Sequence, residues 1–167
     1  MNELPIAELD LPGGGRLGIA PLPGTYQGLA GDVARISLWR AQMVVSLTEA
    51  DEMQRLGCGD LGEACRTAGL DWRHLPVRDY GVPAGAAAKL WPELARDLHA
   101  VLDGRGAILV HCRGGLGRSG MIALRLMVER GEVPDQALLR LRAARPGAVE
   151  TDAQFAWAAD GIDQPGP

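Results

Sequence analysis

The 167-residue chain contains one lysine, Lys89, three cysteines, and few aromatic side chains, 4% of the total. Each scarcity excludes something. Cys58, Cys65 and Cys112 are too few for a disulfide framework and do not form the Cys-x-x-Cys spacing of a structural zinc site, so free thiols in a reducing compartment are expected. With almost no lysine, arginine carries the positive charge; codon usage explains that bias without any appeal to phosphate recognition. The first ten residues are acidic and hold no apolar run, which fits neither a secretory signal nor a membrane span, and a cytoplasmic protein is expected. The net charge of -4 gives no overall pull toward nucleic acid or an anionic membrane, and neither is expected as a partner. Any anionic substrate has to be held by a local basic site.

What is present is apolar material in patterned runs. At 47% hydrophobic composition, a chain of this length can bury one core, which predicts a single domain over residues 1–167 with a loosely ordered segment at 1–15. Residues 11–28 are rich in glycine and proline, with Arg16 to Ala20 as one short extended candidate. Beyond Asp32 the periodicity alternates. Val33, Ile36 and Arg40 suit a helix, Met43 to Leu47 a buried strand, Ala50 to Leu56 and Leu61 to Ala68 helices, and Trp72 to Val77 a strand. A helix from about Ala84 to Leu102 and a strand at Ala107 to Val110 follow. Ser119 opens a nearly all-apolar helix ended by Gly131, and Pro134 to Ala144 and Thr151 to Ala159 read as two more, with Thr151 as N-cap. This alternation predicts an α/β fold with a central, mostly parallel sheet of four to five strands flanked by helices.

The most informative stretch is His111-Cys112-Arg113-Gly114-Gly115-Leu116-Gly117-Arg118-Ser119, between a strand and a helix. A glycine-rich loop entering a helix N-terminus points several backbone N–H groups at one spot, and the helix dipole favours an anion there. Cys112 adds a nucleophile at the first position and Arg118 a bidentate clamp at the seventh, both able to reach one phosphorus centre. The same amides favour the thiolate, which is the attacking species. His111 can order the loop through nearby backbone, and the Ser119 hydroxyl can stabilise the thiolate when it is expelled. Departure of an alkoxide or phenoxide also requires a proton donor on a separate loop. Asp79, in a Pro/Gly-bounded loop 33 residues before Cys112, is the best candidate, ahead of Asp71 and Asp97.

The His-Cys-x5-Arg-Ser run resembles the signature of the protein tyrosine phosphatase superfamily. Its Gly-Gly-Leu-Gly-Arg-Ser interior is similar to the dual-specificity branch, and within it to the kinase-associated (cyclin-dependent kinase inhibitor 3-like) phosphatases. Leu22-Pro23-Gly24, Pro76 to Pro83 and Ala148 to Gln154 extend the resemblance over roughly residues 16–160. It implies a tyrosine phosphatase-like fold and a phosphorylated protein or peptide as partner. A monomer is expected, and no cofactor or metal, because His74, His99 and His111 are scattered and no His/Asp/Glu cluster has ligand spacing. It also implies Arg113, Gly114, Gly115, Leu116, Gly117 and Arg118 as the phosphate cradle. Asp79 matches the family's acid position, and Gln154 falls where the family holds the hydrolytic water.

Other readings compete. Gly115-x-Gly117-x-x-Gly120 satisfies the dinucleotide fingerprint, although two predicted helices follow where that fingerprint expects a strand ending in an acidic residue. A phosphate-binding module without turnover would use the same loop. Arg140, Arg142 and Arg145 could form a basic substrate rim or simply a solvated helix face. Cys58 and Cys65 could protect Cys112 by disulfide formation, but buried structural thiols fit them better.

Overall fold

A computed structural model describes residues 2–163; Met1 and residues 164–167, which the single-domain expectation includes, lie outside it. Its sheet has five strands: β1 (Ala7–Asp10), β2 (Arg16–Ala20), β3 (Met43–Ser46), β4 (Asp71–His74) and β5 (Ala107–His111). Their order across the sheet is β1-β2-β5-β3-β4, with β1 antiparallel to β2 and every other pairing parallel. The helices are α1 (Gly28–Leu38), α2 (Ala50–Arg55), α3 (Leu61–Thr67), α4 (Ala86–Asp103), α5 (Gly117–Glu129), α6 (Pro134–Ala144) and α7 (Asp152–Ala159).

Alternation along the central strands divides the core in two. Leu17, Ile19, Met43, Val45, Ile108 and Val110 pack on one face with α4, α5, α6 and α7. Ala20, Val44 and Leu109 pack on the other with Val33 and Ile36 of α1, Met53 of α2 and Leu61 and Cys65 of α3. A strand covered on both faces needs apolar residues at every position, which is why β3 and β5 read as continuous runs. Gly18 of β2 is a close approach of a different kind: a Cβ there would meet the Trp39 ring at 2.8 Å.

Several boundaries differ from the sequence expectation. The segment 1–15 is not loose at 7–11, because β1 pairs with β2 and buries Leu9 and Leu11; Leu4 is also buried. Arg40 lies beyond α1 in the left-handed region, φ 69°, so only Val33 and Ile36 belong to the helical stripe. β4 covers 71–74 rather than 72–77; Leu75 and Val77 still donate to Ser46 and Leu47 carbonyls, but as an irregular extension. Helix α5 begins at Gly117, which places Arg118 and Ser119 in its first turn. Thr151 does cap α7: its Oγ1 accepts from the Gln154 N–H. No helix among the described residues is long and apolar enough to cross a membrane.

Candidate active site

The site forms where the parallel strands end. β5 carries His111 as its last residue, and the chain passes through Cys112 to Leu116 into α5. The carbonyls of this loop are all held from outside. Leu22 N–H donates to Arg113 O at 3.1 Å, Arg145 Nη2 and Nε donate to Gly114 O and Gly115 O at 2.9 Å each, and Val149 N–H donates to Leu116 O at 3.1 Å. In a trans peptide the N–H points opposite to its C=O. Anchoring these carbonyls outward therefore turns the amides of residues 114–117 to the other side, as an anion site at a helix N-terminus requires. Gly115, at φ 71°, passes so close to β2 that a Cβ would lie 2.8 Å from the Ala20 backbone.

Cys112, 3% exposed, sits at the floor with its Sγ 3.3 Å from Ser119 Oγ. Arg118 is buried beside it. Its Nη1 and Nη2 donate to Glu52 Oε1 and Oε2 at 2.8 Å each, Nη1 also donates to Val77 O at 3.0 Å, and Nη2 lies 3.4 Å from Asp79 Oδ1. Arg118 Nε is a buried donor with no partner in the protein, and so remains available to an incoming oxyanion. Burial works against the guanidinium charge, but the Glu52 hydrogen bonds outweigh it and hold Arg118 above its ordinary value. The same hydrogen bond, against burial, keeps the Glu52 carboxyl below the usual carboxylate range.

Asp79 reaches the site from the loop after β4, half-exposed, with Oδ1 accepting from the Tyr80 N–H at 3.0 Å. Asp79, Tyr80, Cys112, Arg113, Gly114, Leu116, Arg118 and Glu150 line one cavity of about 300 Å³. Sequence reasoning named six of these eight, all but Tyr80 and Glu150, and it also missed Glu52 behind Arg118; the short acidic contexts of Glu52 and Glu150 carry no distinguishing pattern. Asp71 and Asp97 are elsewhere, paired with Arg73 at 2.9 and 2.7 Å.

Gln154 is close by but committed. It is fully buried, its Oε1 accepts from Glu150 N and Thr151 N at 2.9 and 3.3 Å, and its Nε2 donates to Gly81 O at 3.2 Å. It thus ties the start of α7 to the Asp79 loop and does not line the cavity. His111 is fully buried, with Nδ1 3.2 Å from the Cys112 carbonyl. The three arginines of α6 and its C-terminal end form no free rim: Arg140 pairs with Glu132, Arg142 donates to Ala148 O and Val149 O, and Arg145 holds the loop. Cys58 and Cys65 are in the core on the opposite face of the sheet from the Cys112 cluster, and burial pushes both thiols up, Cys65 to about 11. No group of three or more His, Cys, Asp or Glu among the described residues could hold a metal ion. β5 is followed only by helices, so the strand the dinucleotide fingerprint requires is absent from the described residues.

Comparison with known proteins decides the family. Residues 20–132 match the family described as the DSP-PTPase phosphatase of polymorphic toxin systems. The chain belongs to this phosphatase family. Cyclin-dependent kinase inhibitor 3 of Mus musculus is 28% identical over 146 residues, covering 83% of this chain and 68% of that protein. Protein tyrosine phosphatase domain-containing protein 1 of Mus musculus is 35% identical over 103 residues, 61% of this chain but only 13% of the longer relative. Among solved structures, kinase associated phosphatase with its catalytic cysteine substituted by serine shares the fold at a TM-score of 0.85 and 24% identity, over 97% of each chain. Tk-PTP in its active form gives 0.74 and 25%, over 91% of this chain and 95% of that one. The α/β architecture of this DSP-PTPase-type chain, with its five-stranded sheet flanked by helices, is that of the phosphatase neighbours.

Proposed function

We propose that residues 1–167 act as a single phosphatase domain that hydrolyses phosphomonoesters on phosphorylated proteins or peptides through a cysteinyl-phosphate intermediate. One observation carries the reading: a cysteine at a helix N-terminus, a buried arginine with a spare donor, and a half-exposed aspartate converge on one cavity of about 300 Å³.

In the first step Cys112 Sγ attacks phosphorus, the S–P bond forms, and the bond to the leaving oxygen breaks as Asp79 gives that oxygen a proton. The amides of the 113–117 loop and Arg118 take the phosphoryl oxygens, whose charge they match most closely in the transition state. In the second step water attacks phosphorus, Asp79 as carboxylate takes its proton, and the S–P bond breaks. Ser119 Oγ, 3.3 Å from Sγ, is placed to donate to the departing thiolate. If Gln154 is to hold that water, its Nε2 must first release the Gly81 carbonyl. The reading further includes a monomer acting in the cytoplasm on a phosphoprotein, with no cofactor or metal.

Release of phosphate from para-nitrophenyl phosphate without added metal tests the proposal, with native protein turning over and Cys112→Ser falling to background. Native protein that binds phosphopeptides but releases no phosphate would instead be a binding module. Asp79→Ala should slow substrates with poor leaving groups by about 10² to 10⁴-fold, the usual contribution of a general acid, and para-nitrophenyl phosphate much less. Equal effects on both would place the acid elsewhere.

A further inference from the structure

Behind the nucleophile lies a buried polar chain that starts 40 residues upstream, at Trp72. The parallel register sets Ser46, the last residue of β3, beside His111 of β5. Ser46 is fully buried. Trp72 Nε1 donates to Ser46 Oγ at 2.8 Å, Ser46 Oγ lies 2.5 Å from His111 Nε2, and His111 Nδ1 lies 3.2 Å from the Cys112 carbonyl.

The donor and acceptor inventory allows one proton arrangement for a neutral imidazole. A carbonyl oxygen only accepts, so the nitrogen facing it, Nδ1, must carry the proton. Nε2 is then bare and accepts the Ser46 O–H, while the Ser46 oxygen keeps a lone pair for the Trp72 N–H, which can only donate. The opposite tautomer sets a bare Nδ1 against the carbonyl and turns the Ser46 proton away from Nε2 at a fully buried hydroxyl, which is costly. Burial favours the neutral ring by pushing His111 down to about 4.

The Cys112 carbonyl is the first of the loop carbonyls, and His111 does for it what Leu22, Arg145 and Val149 do for the next four. We propose that Ser46, anchored by Trp72, is a positioning residue for the nucleophile loop: by donating to Nε2 it holds the His111 ring in the Nδ1-protonated form that the Cys112 carbonyl requires and, through that carbonyl, aims the Arg113 amide at the anion site. The kinetic consequence rests on the phosphatase reading; the tautomer and the loop geometry do not. Arg118, His74 and Glu52 act on the His111 ring through their charge, Cys112 adjoins it, and substitution of Ser46 leaves all four in place.

Nitrogen-15 NMR of the native protein at neutral pH should show His111 as the Nδ1–H tautomer. In Ser46→Ala, Nε2 loses its donor and its nitrogen-15 shift should move, and alkylation of Cys112 by iodoacetamide at fixed pH should slow roughly tenfold, the scale of one hydrogen bond to a charged group. kcat/KM on para-nitrophenyl phosphate should fall with it. Ser46→Thr, which keeps the hydroxyl, should recover most of both rates, and Trp72→Phe should move them in the Ser46→Ala direction by a smaller factor. A native His111 protonated at Nε2 overturns the proposal, as does a folded Ser46→Ala with native alkylation and an unmoved Nε2 shift. Should Ser46→Ala fail to fold, the native tautomer and the Trp72→Phe alkylation rate decide, and an unchanged rate there also counts against it. Absence of phosphate release from a native protein with the expected tautomer and alkylation would defeat the phosphatase reading alone.

Discussion

Arg118 has a side chain only 1% exposed and gives both terminal nitrogens to Glu52, itself 10% exposed. A guanidinium in such a place is stable only if its charge and hydrogen bonds are met, and breaking a buried pair by removing one partner costs about 3 to 5 kcal/mol. Glu52 therefore has two effects: it lets the arginine be buried, and it leaves Nε as the unpartnered donor. Glu52→Gln keeps the shape and removes the charge. It should lower stability by roughly 3 kcal/mol in urea unfolding. It should also lower kcat/KM about 10 to 100-fold, the range for a weakened hydrogen bond to a charged group. Wild-type kinetics in a folded Glu52→Gln protein would show that the loop alone orients Arg118. This pairing was not legible in the sequence. Glu49, Asp51 and Glu52 stand within four residues of one another, 66 residues from Arg118 at the nearest, and only the path of the chain from β3 into α2 decides which of them faces the arginine.

No residue of helix α6 is among those lining the Cys112 cavity, but the residue that ends the helix holds the 112–116 loop. Arg145 reaches two successive loop carbonyls, so Arg145→Ala would release the Gly114 and Gly115 peptides from their outward orientation. Two neutral acceptors at about 1 kcal/mol each predict a roughly tenfold or greater rise in the inhibition constant of inorganic phosphate, with a smaller change in thermal stability because Arg145 is half-exposed. Unchanged phosphate inhibition would mean that backbone contacts from Leu22 and Val149 suffice. Elements with a strong period were readable without coordinates: the apolar runs of β3 and β5, the all-apolar stripe of α5, and the Thr151 cap of α7. β1 was not, because its Leu9 and Leu11 alternation is short and adjoins a Gly/Pro tract, and it becomes a strand only through the pairing that β2 offers. The role of Arg145 was hidden for a related reason. Arginines on a helix face look alike in sequence, whether they meet solvent, a carboxylate as Arg140 does, or a peptide carbonyl.

Taken as a whole, the molecule places the Cys112–Leu116 loop at the end of β5, the strand whose two faces carry the two cores, and buries His111 fully there. That arrangement makes stability sensitive to acid before the carboxylates titrate. His111 is held neutral by burial and is pushed from its ordinary 6.5 down to about 4. In the unfolded chain the same ring takes a proton below about 6.5, so between 6.5 and 4 the unfolded state binds more protons than the folded one. Stability from this group is therefore complete above that window and is lost as the pH falls through it, by an amount of up to roughly 3 kcal/mol. Glu52 and Glu129 are both held below 4.5 by arginine or histidine partners, so they add a further loss only at lower pH. Urea unfolding at steps from pH 7 to pH 4.5 should show a steady decline in the native protein. His111→Gln, less stable at neutral pH, should show a much flatter profile over the same range. If the two profiles run parallel, the acid sensitivity lies in other groups, and His111 is less fully withdrawn from water than its place at the end of β5 indicates.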